Sequence, residues 1–438
     1  MRIGFIAQPE DTLYLPLSHG GSLALWIYYM ARECAKRGHE CIILANDGSI
    51  SQIQDLIRDG VRYIFAPTVL DRAANKLVRL LNKFGLVSAR VPLFASKWHH
   101  RIYIERLARE IRRLDCDVVH ILNYSQFVPV VRAISPRSRI SLHMQCEWLS
   151  QLDRREIADR LRSANVVIGC SDYITRTITD RFPEFADRCF TVPNAAAEVD
   201  LESEPNRKSQ DVLFVNRLSP EKGVHDLIRA FRLVLPRFPE ARLWIVGGSG
   251  RTPFEYVVGL TTDERVVALR PFYKMTGGGG RDPYLQYLER EAGSELGQRI
   301  LFLGHVAHDE IGTHYRRAAV LVSASIWNEP FGISLIEAMM HGVPVVATRM
   351  GGMVEIVDDG KTGLLVEPCE PYSLAEAICK LLADESRARK LGENGRQKAI
   401  GKYSWSRAAD RLLGVFNSMF EPSDAPARSG SERETVPH

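Results

Sequence analysis

Trp327-Asn328-Glu329-Pro330-Phe331-Gly332-Ile333-Ser334-Leu335-Ile336-Glu337-Ala338 sets two carboxylates eight residues apart across a Pro-Phe-Gly turn. Ahead of it, residues 318–323 (AAVLVS) form a short apolar run rich in Val and Leu, the pattern of a buried strand. Behind it, residues 332–341 read as a helix with Ile333, Ile336, Ala338 and Met340 as apolar positions and Gly342 as the stop. A strand whose exit loop opens a helix presents unbonded N–H groups at the strand's C-terminal edge, where α/β sheets bind ligands. Glu337 then lies in the first turns of the helix and Glu329 on the incoming loop, so the two reach opposite ends of one ligand. Taken alone, the same residues also fit a solvated loop acid and a surface helix residue.

The surrounding residues weigh against that plainer reading. Glu329 and Glu337 are followed by Glu337-Ala338-Met339, by His341-Gly342-Val343-Pro344-Val345-Val346-Ala347-Thr348 and by Gly351-Gly352. Glu355-Ile356-Val357 and Thr362-Gly363-Leu364-Leu365-Val366 continue the series. Over residues 304–368 the chain thereby resembles the nucleotide-binding half of retaining glycosyltransferases of the GT-B type. The resemblance is to the large family four in particular, which includes sucrose synthase and bacterial mannosyl- and glucosyltransferases. It implies an α/β, GT-B architecture: two Rossmann-like doubly wound domains facing an interdomain cleft.

The bulk properties agree with such a protein. A chain of 438 residues predicts two domains. A net charge of +4 over that length is too small to argue for nucleic acid. The eight cysteines (Cys34, Cys41, Cys116, Cys146, Cys170, Cys189, Cys369, Cys379) form no C-x-x-C pair and mostly sit in apolar runs. They read as reduced core thiols of a cytoplasmic protein rather than disulfides or zinc ligands. Met1-Arg2-Ile3-Gly4-Phe5-Ile6-Ala7 is too short and soon too polar for a signal peptide, and no run of 18 apolar residues occurs.

In the first half, residues 2–8 read as a strand, 23–37 as an amphipathic helix and 40–45 as the next strand, with Gly20 and Gly21 in the loop between. Glycines there let backbone N–H groups approach a phosphate or sugar closely, although no G-x-G-x-x-G follows. A plain turn is the competing reading; the resemblance implies contact with the donor diphosphate or the acceptor. Further strands are expected at 61–66, 117–122, 139–144, 165–170 and 188–192. Between them, residues 72–113 are rich in Arg and Lys, with Leu77, Leu80, Leu81 and Phe84 at helical spacing. This stretch reads either as a solvated helix face or as a basic surface for anionic lipid or an anionic acceptor. His143 ends a strand; the resemblance implies that it faces the donor sugar, with Glu147 a weaker candidate.

Val192-Pro193-Asn194 leads into the polar, acidic residues 195–210, a linker composition. The second half restarts with the strand 211–215, then Asn216-Arg217-Leu218-Ser219-Pro220-Glu221-Lys222-Gly223 and a helix over 224–235. This is similar to the family's Gly-Arg-Leu…Lys-Gly loop, and Arg217 and Lys222 would bracket a diphosphate. By the same resemblance Gly248 lines the nucleotide side of the cleft, and Val306 contributes a backbone contact to the base. Residues 251–282 depart from the family's spacing and contain the glycine run 277–280. Ser373-Leu374-Ala375-Glu376 has the spacing of a capping box and is expected to start a helix. Residues 404–419 form a last amphipathic helix. The expected division is 1–200, 201–403, the helix 404–420 returning to the first domain, and a disordered tail 421–438.

The resemblance implies transfer of a hexose from a UDP- or GDP-linked donor to a hydroxyl acceptor on a glycan, glycolipid or glycoconjugate precursor. Arg217, Lys222 and N–H groups near Phe331, Gly332 and Ile333 would stabilise the leaving diphosphate. Glu329 would hold donor-sugar hydroxyls and Glu337 the ribose diol, while His143 approaches from the other domain. No Asp-x-Asp motif in a suitable loop is evident, so neither metal nor cofactor is expected. A GT-B 2-epimerase, a sugar phosphorylase and a non-catalytic nucleotide-sugar binder remain the alternatives.

Overall fold

In the computed structural model, residues 1–15, 21–46, 52–83, 91–200, 210–275, 280–307 and 310–421 are described. Gly20, most of the acidic segment 195–210, most of the glycine run and the tail from 422 lie outside them.

Runs of Val, Ile and Leu bounded by turn residues build two sheets. The first holds β1 (Arg2–Ile6), β2 (Glu40–Ala45), β3 (Gln54–Arg58), β4 (Val61–Phe65), β5 (Val118–Leu122), β6 (Arg139–Met144), β7 (Val166–Gly169) and β8 (Cys189–Thr191), in the order β3-β4-β2-β1-β5-β6-β7-β8. The second holds β9 (Asp211–Val215), β10 (Arg242–Val246), β11 (Ile300–Gly304), β12 (Val320–Ser323), β13 (Val345–Thr348) and β14 (Leu364–Val366), in the order β11-β10-β9-β12-β13-β14. All neighbours are parallel except β3 and β4. Strands such as β5 and β7 are buried along their whole length, because helices cover both faces. Chain direction across each sheet reverses at one point, between β1 and β5 in the first and between β9 and β12 in the second. Loops diverge there and leave a crevice at the strands' C-terminal ends.

Three elements differ from or add to the expectations. β3 is wholly exposed, so it carries no apolar alternation, yet Asp59 and Gly60 at φ 50° and 76° make the two-residue hairpin that pairs Arg58 with Val61. The expected capping box at Ser373 does not start a helix. That helix spans Pro371–Ala383, because proline is suited to the first helical position, where no N–H partner is needed. A further helix, Glu385–Tyr403, packs Gly392 so close to Gly342 that a Cβ would meet its carbonyl oxygen at 2.0 Å.

The helix Trp405–Ser418 lies against the helix Ser22–Lys36, where Tyr29 meets Trp405 and Arg37 pairs with Asp410 at 2.9 Å. The sheets' own loops meet at a second seam. Ser171 Oγ donates to the Pro330 carbonyl at 2.6 Å, and the Glu355 carboxylate accepts from the backbone N–H groups of Asp172 and Tyr173. A carboxylate from one half thus caps the helix Asp172–Arg181 of the other, where the helix dipole favours negative charge. Glu355→Ala should cost about 1–2 kcal/mol, the usual loss of such a cap, and should raise the radius of gyration of the unliganded protein in small-angle scattering. Unchanged melting and scattering would show that this contact does not hold the halves together.

Candidate active site

β9 and β12 flank the reversal point of the second sheet, and their exit loops carry the candidate residues Arg217, Lys222 and Glu329. After β9, Arg217 is exposed and has no ion pair among the described residues, whereas Lys222 is buried. After β12, Glu329 is buried and takes the Lys222 ammonium on Oε1, an oxygen that also accepts the Ser325 hydroxyl at 2.6 Å. The ammonium also sits 5.1 Å from the Trp327 ring centroid. Burial by itself would push the Glu329 carboxyl up; the charge of Lys222 and the hydrogen bonds from Lys222 and Ser325 overcome it and hold the group below its ordinary 4.5.

Two glycine contacts fix this geometry. Gly223, at φ 67°, follows Lys222 and approaches the Ala324 carbonyl so closely that a Cβ would lie 1.9 Å from its oxygen. Gly351, at φ 55°, presses on the Glu329 carbonyl in the same way, and the Gly352 N–H donates to that oxygen at 2.7 Å. Glu221 is fully buried behind the loop and accepts hydroxyl hydrogen bonds from Ser219, Tyr273 and Thr252. Side chains on both loops are therefore locked before any ligand arrives.

Gly332 caps the helix Ile333–Met340, and the N–H groups of Gly332, Ile333 and Ser334 find no acceptor among the described residues. They are the open donors of a helix start, beside Glu329. Phe331 itself is buried and packs edge-on against Tyr403, 5.6 Å between centroids. Glu337 is half-buried on the same helix, with Oε2 accepting the Tyr315 hydroxyl at 2.7 Å. Gly248 and Val306 lie at the exits of β10 and β11, where the Leu218 N–H donates to the Gly248 carbonyl at 3.1 Å.

The first half departs more from the sequence expectations. His143 is the penultimate residue of β6 but is wholly buried. Its Nδ1 faces His120 Nε2 at 3.3 Å, its Nε2 faces the Gln145 amide at 3.2 Å, and burial pushes its pKa down to about 3. Gln145 is half-buried, and its amide oxygen accepts from Asn194 at 2.6 Å. Glu147 is half-buried, turned to the Tyr173 hydroxyl. Gly21 precedes the helix Ser22–Lys36, but the N–H groups offered by that helix at Leu23 and Ala24 already bind the Asp11 carboxylate, at 3.0 and 2.9 Å. Sequence reading had passed over Asp11, Ser325, Tyr315 and Gln145, which have no motif of their own. Ser325 and Gln145 did carry a signal, being close in sequence to singled-out residues.

The basic stretch resolves into two helices. Arg101, Arg109 and Arg113 on the helix Arg101–Arg113 are ion-paired to Glu105 and Glu110. On the helix Val69–Lys83, in contrast, Val69, Leu70, Leu77 and Leu80 are more than half exposed. Among the described residues no helix is long and apolar enough to cross a membrane.

Known families and proteins resemble this chain. The family described as Glycosyltransferase Family 4 matches residues 23–197, and that described as Glycosyl transferases group 1 matches residues 198–398. The putative glycosyltransferase YtcC of Bacillus subtilis (strain 168) is 27% identical, over 97% of this chain and 94% of that protein. Sucrose-phosphate synthase from Thermosynechococcus elongatus superposes with a TM-score of 0.65 at 20% identity, over 96% of this chain and 99% of the other. The Anabaena protein Alr3699/HepE, solved with UDP-glucose, gives 0.63 at 19%, over 95% and 100%.

Lys222→Met leaves a buried carboxylate without its cation and should cost about 3–5 kcal/mol at neutral pH. Because the folded carboxyl of Glu329 titrates below its ordinary 4.5, its contribution is complete above that value and disappears as pH falls through the lower folded one. Denaturant melts across pH check this. A stability gap between the wild type and Lys222→Met that widened on acidification would contradict it.

Proposed function

Because the chain is a GT-B glycosyltransferase of the family-four type, we propose that it moves a hexose, with retention at the anomeric carbon, from a UDP- or GDP-linked donor to a hydroxyl acceptor on a glycan, glycolipid or glycoconjugate precursor. The supporting observation is the Lys222–Glu329 pair beside the open N–H groups of Gly332, Ile333 and Ser334. It sets a cation and a helix start next to a carboxylate, as a departing diphosphate and its sugar require. The donor is then of the kind found with the Anabaena protein, UDP-glucose, or its guanosine counterpart.

In this reading the bond from the anomeric carbon to the β-phosphate oxygen breaks, and its electron pair goes to the phosphate. Arg217, Lys222 and the N–H groups following Phe331 take up the developing charge, so no metal is needed. Glu329 binds donor-sugar hydroxyls. A carboxyl held below its ordinary value stays ionised and does not serve as the acid that protonates a leaving group. The phosphate oxygen instead accepts the acceptor's proton as the new bond forms on the same face. Glu337, oriented by Tyr315, accepts from the ribose diol, while Gly248 and Val306 border the base. His143 acts through Gln145 as a positioning residue, and Gly21 borders the acceptor side. The protein works in the cytoplasm, with the exposed apolar strip of the helix Val69–Lys83 able to rest on the membrane's inner face.

A thermal-shift screen of nucleotide sugars followed by donor hydrolysis tests the reaction. Glu329→Gln should lower turnover by about 100-fold or more while donor affinity changes only a few-fold. Wild-type turnover in that variant would remove Glu329 from the chemistry. Isomerisation of donor with no acceptor present would replace transfer with epimerisation.

A further inference from the structure

The reversal point of the first sheet, between β1 and β5, has its own cavity, of about 430 Å³, and no step above uses it. Glu10, on the exit of β1, lines it. Its Oε1 meets Nε2 of His99 at 2.8 Å and of His100 at 3.0 Å, and its Oε2 accepts the hydroxyl of Tyr124, on the exit of β5, at 2.7 Å. Both imidazoles are buried, and His100 adopts φ 52°, a left-handed conformation that costs a non-glycine residue about 1 kcal/mol. Its Nδ1 is buried without a partner. Strain retained beside a cavity is a mark of a working site.

The lining also carries Arg72, Lys76 and Arg79. The three cations recur at helical spacing on one face of Val69–Lys83, and none has an ion pair among the described residues. Glu10, already met by two imidazoles and a phenol, leaves the cavity with a net positive charge. Its ligating atoms and those of His99 and His100 lie within 4.8 Å of one another, a set that suits zinc. A divalent cation would nevertheless sit beside three like charges, whereas an anion is attracted by all three and repelled by the single Glu10 carboxylate, which two imidazoles and a phenol already engage. On the same half, Phe94 and Trp148 pack on Tyr256 from the second half.

We propose that this cavity binds a phosphate group carried by the acceptor, held by Arg72, Lys76 and Arg79 against the Glu10–His99–His100 wall. The proposal rests on the transferase reading, for which it narrows the acceptor to a phosphorylated one. The same chemistry arrives on a soluble sugar phosphate or on a lipid phosphodiester. The exposed Leu77 and Leu80 beside the cations give a lipid somewhere to lie.

The test titrates inorganic phosphate calorimetrically into full-length protein saturated with UDP or GDP, so that the diphosphate subsite is already filled. The wild type should bind phosphate in the millimolar range, and Arg72→Gln/Arg79→Gln at least about tenfold more weakly, near 1.4 kcal/mol. No phosphate binding by the wild type, or equal binding by the double variant, overturns the proposal. Failure of both nucleotides to bind overturns the transferase reading instead, and the phosphate isotherm is still read in their absence. Glucose 6-phosphate in solution and phosphatidylinositol vesicles then identify the carrier. Competition with inorganic phosphate by either one, lost in the double variant, supports the proposal for that source. Competition by neither overturns it.

Discussion

A lysine and a glutamate taken out of water together, Lys222 and Glu329, set the terms for the second half of this molecule. Each charge alone would be costly to bury, and their pairing is tolerable only with tight geometry around it. That geometry requires the backbone at Gly223 and Gly351 to approach carbonyl groups more closely than any side chain would permit. It also requires Ser325 to satisfy the carboxylate and the buried Glu221 network to hold the loop that carries Lys222. The pair is thus a product of two strand exits meeting at a reversal point, and the open helix start at Gly332 is its immediate neighbour.

Such a pair is suited to exchange partners. In the proposed reading, a diphosphate would offer Lys222 a stronger anion and sugar hydroxyls would offer Glu329 neutral donors, so that a nucleotide sugar would satisfy both charges at once. Little reorganisation is needed, since the loops are fixed by contacts that the ligand does not touch. The seam through Ser171, Pro330 and Glu355 ties the same loop to the other half.

Much of this was legible in the sequence because it is local. The strands at 211–215 and 318–323, the helix after Gly332 and the loop around Lys222 are each encoded within a few residues by apolar runs, glycines and charges. β3 was overlooked because an edge strand exposed along its length has no apolar period, although Asp59-Gly60 announced its turn. The helix Pro371–Ala383 starts earlier than its Ser373 capping pattern implied because a proline two residues before already meets the needs of a first turn. Contacts between distant segments left no trace in the sequence: Tyr315 on Glu337, Asp11 on the helix start at Leu23, Glu355 on the other half. The burial of His143 likewise depends on Trp26 and His120 from other elements.

Hydrogen exchange read by mass spectrometry, with and without UDP or GDP, tests the central claim most directly. The account predicts slower exchange at the amides of residues 332–335 and across the loop 217–223 on nucleotide binding, and its loss in Lys222→Met. Protection confined to other segments, or binding that leaves those amides unchanged, would contradict it.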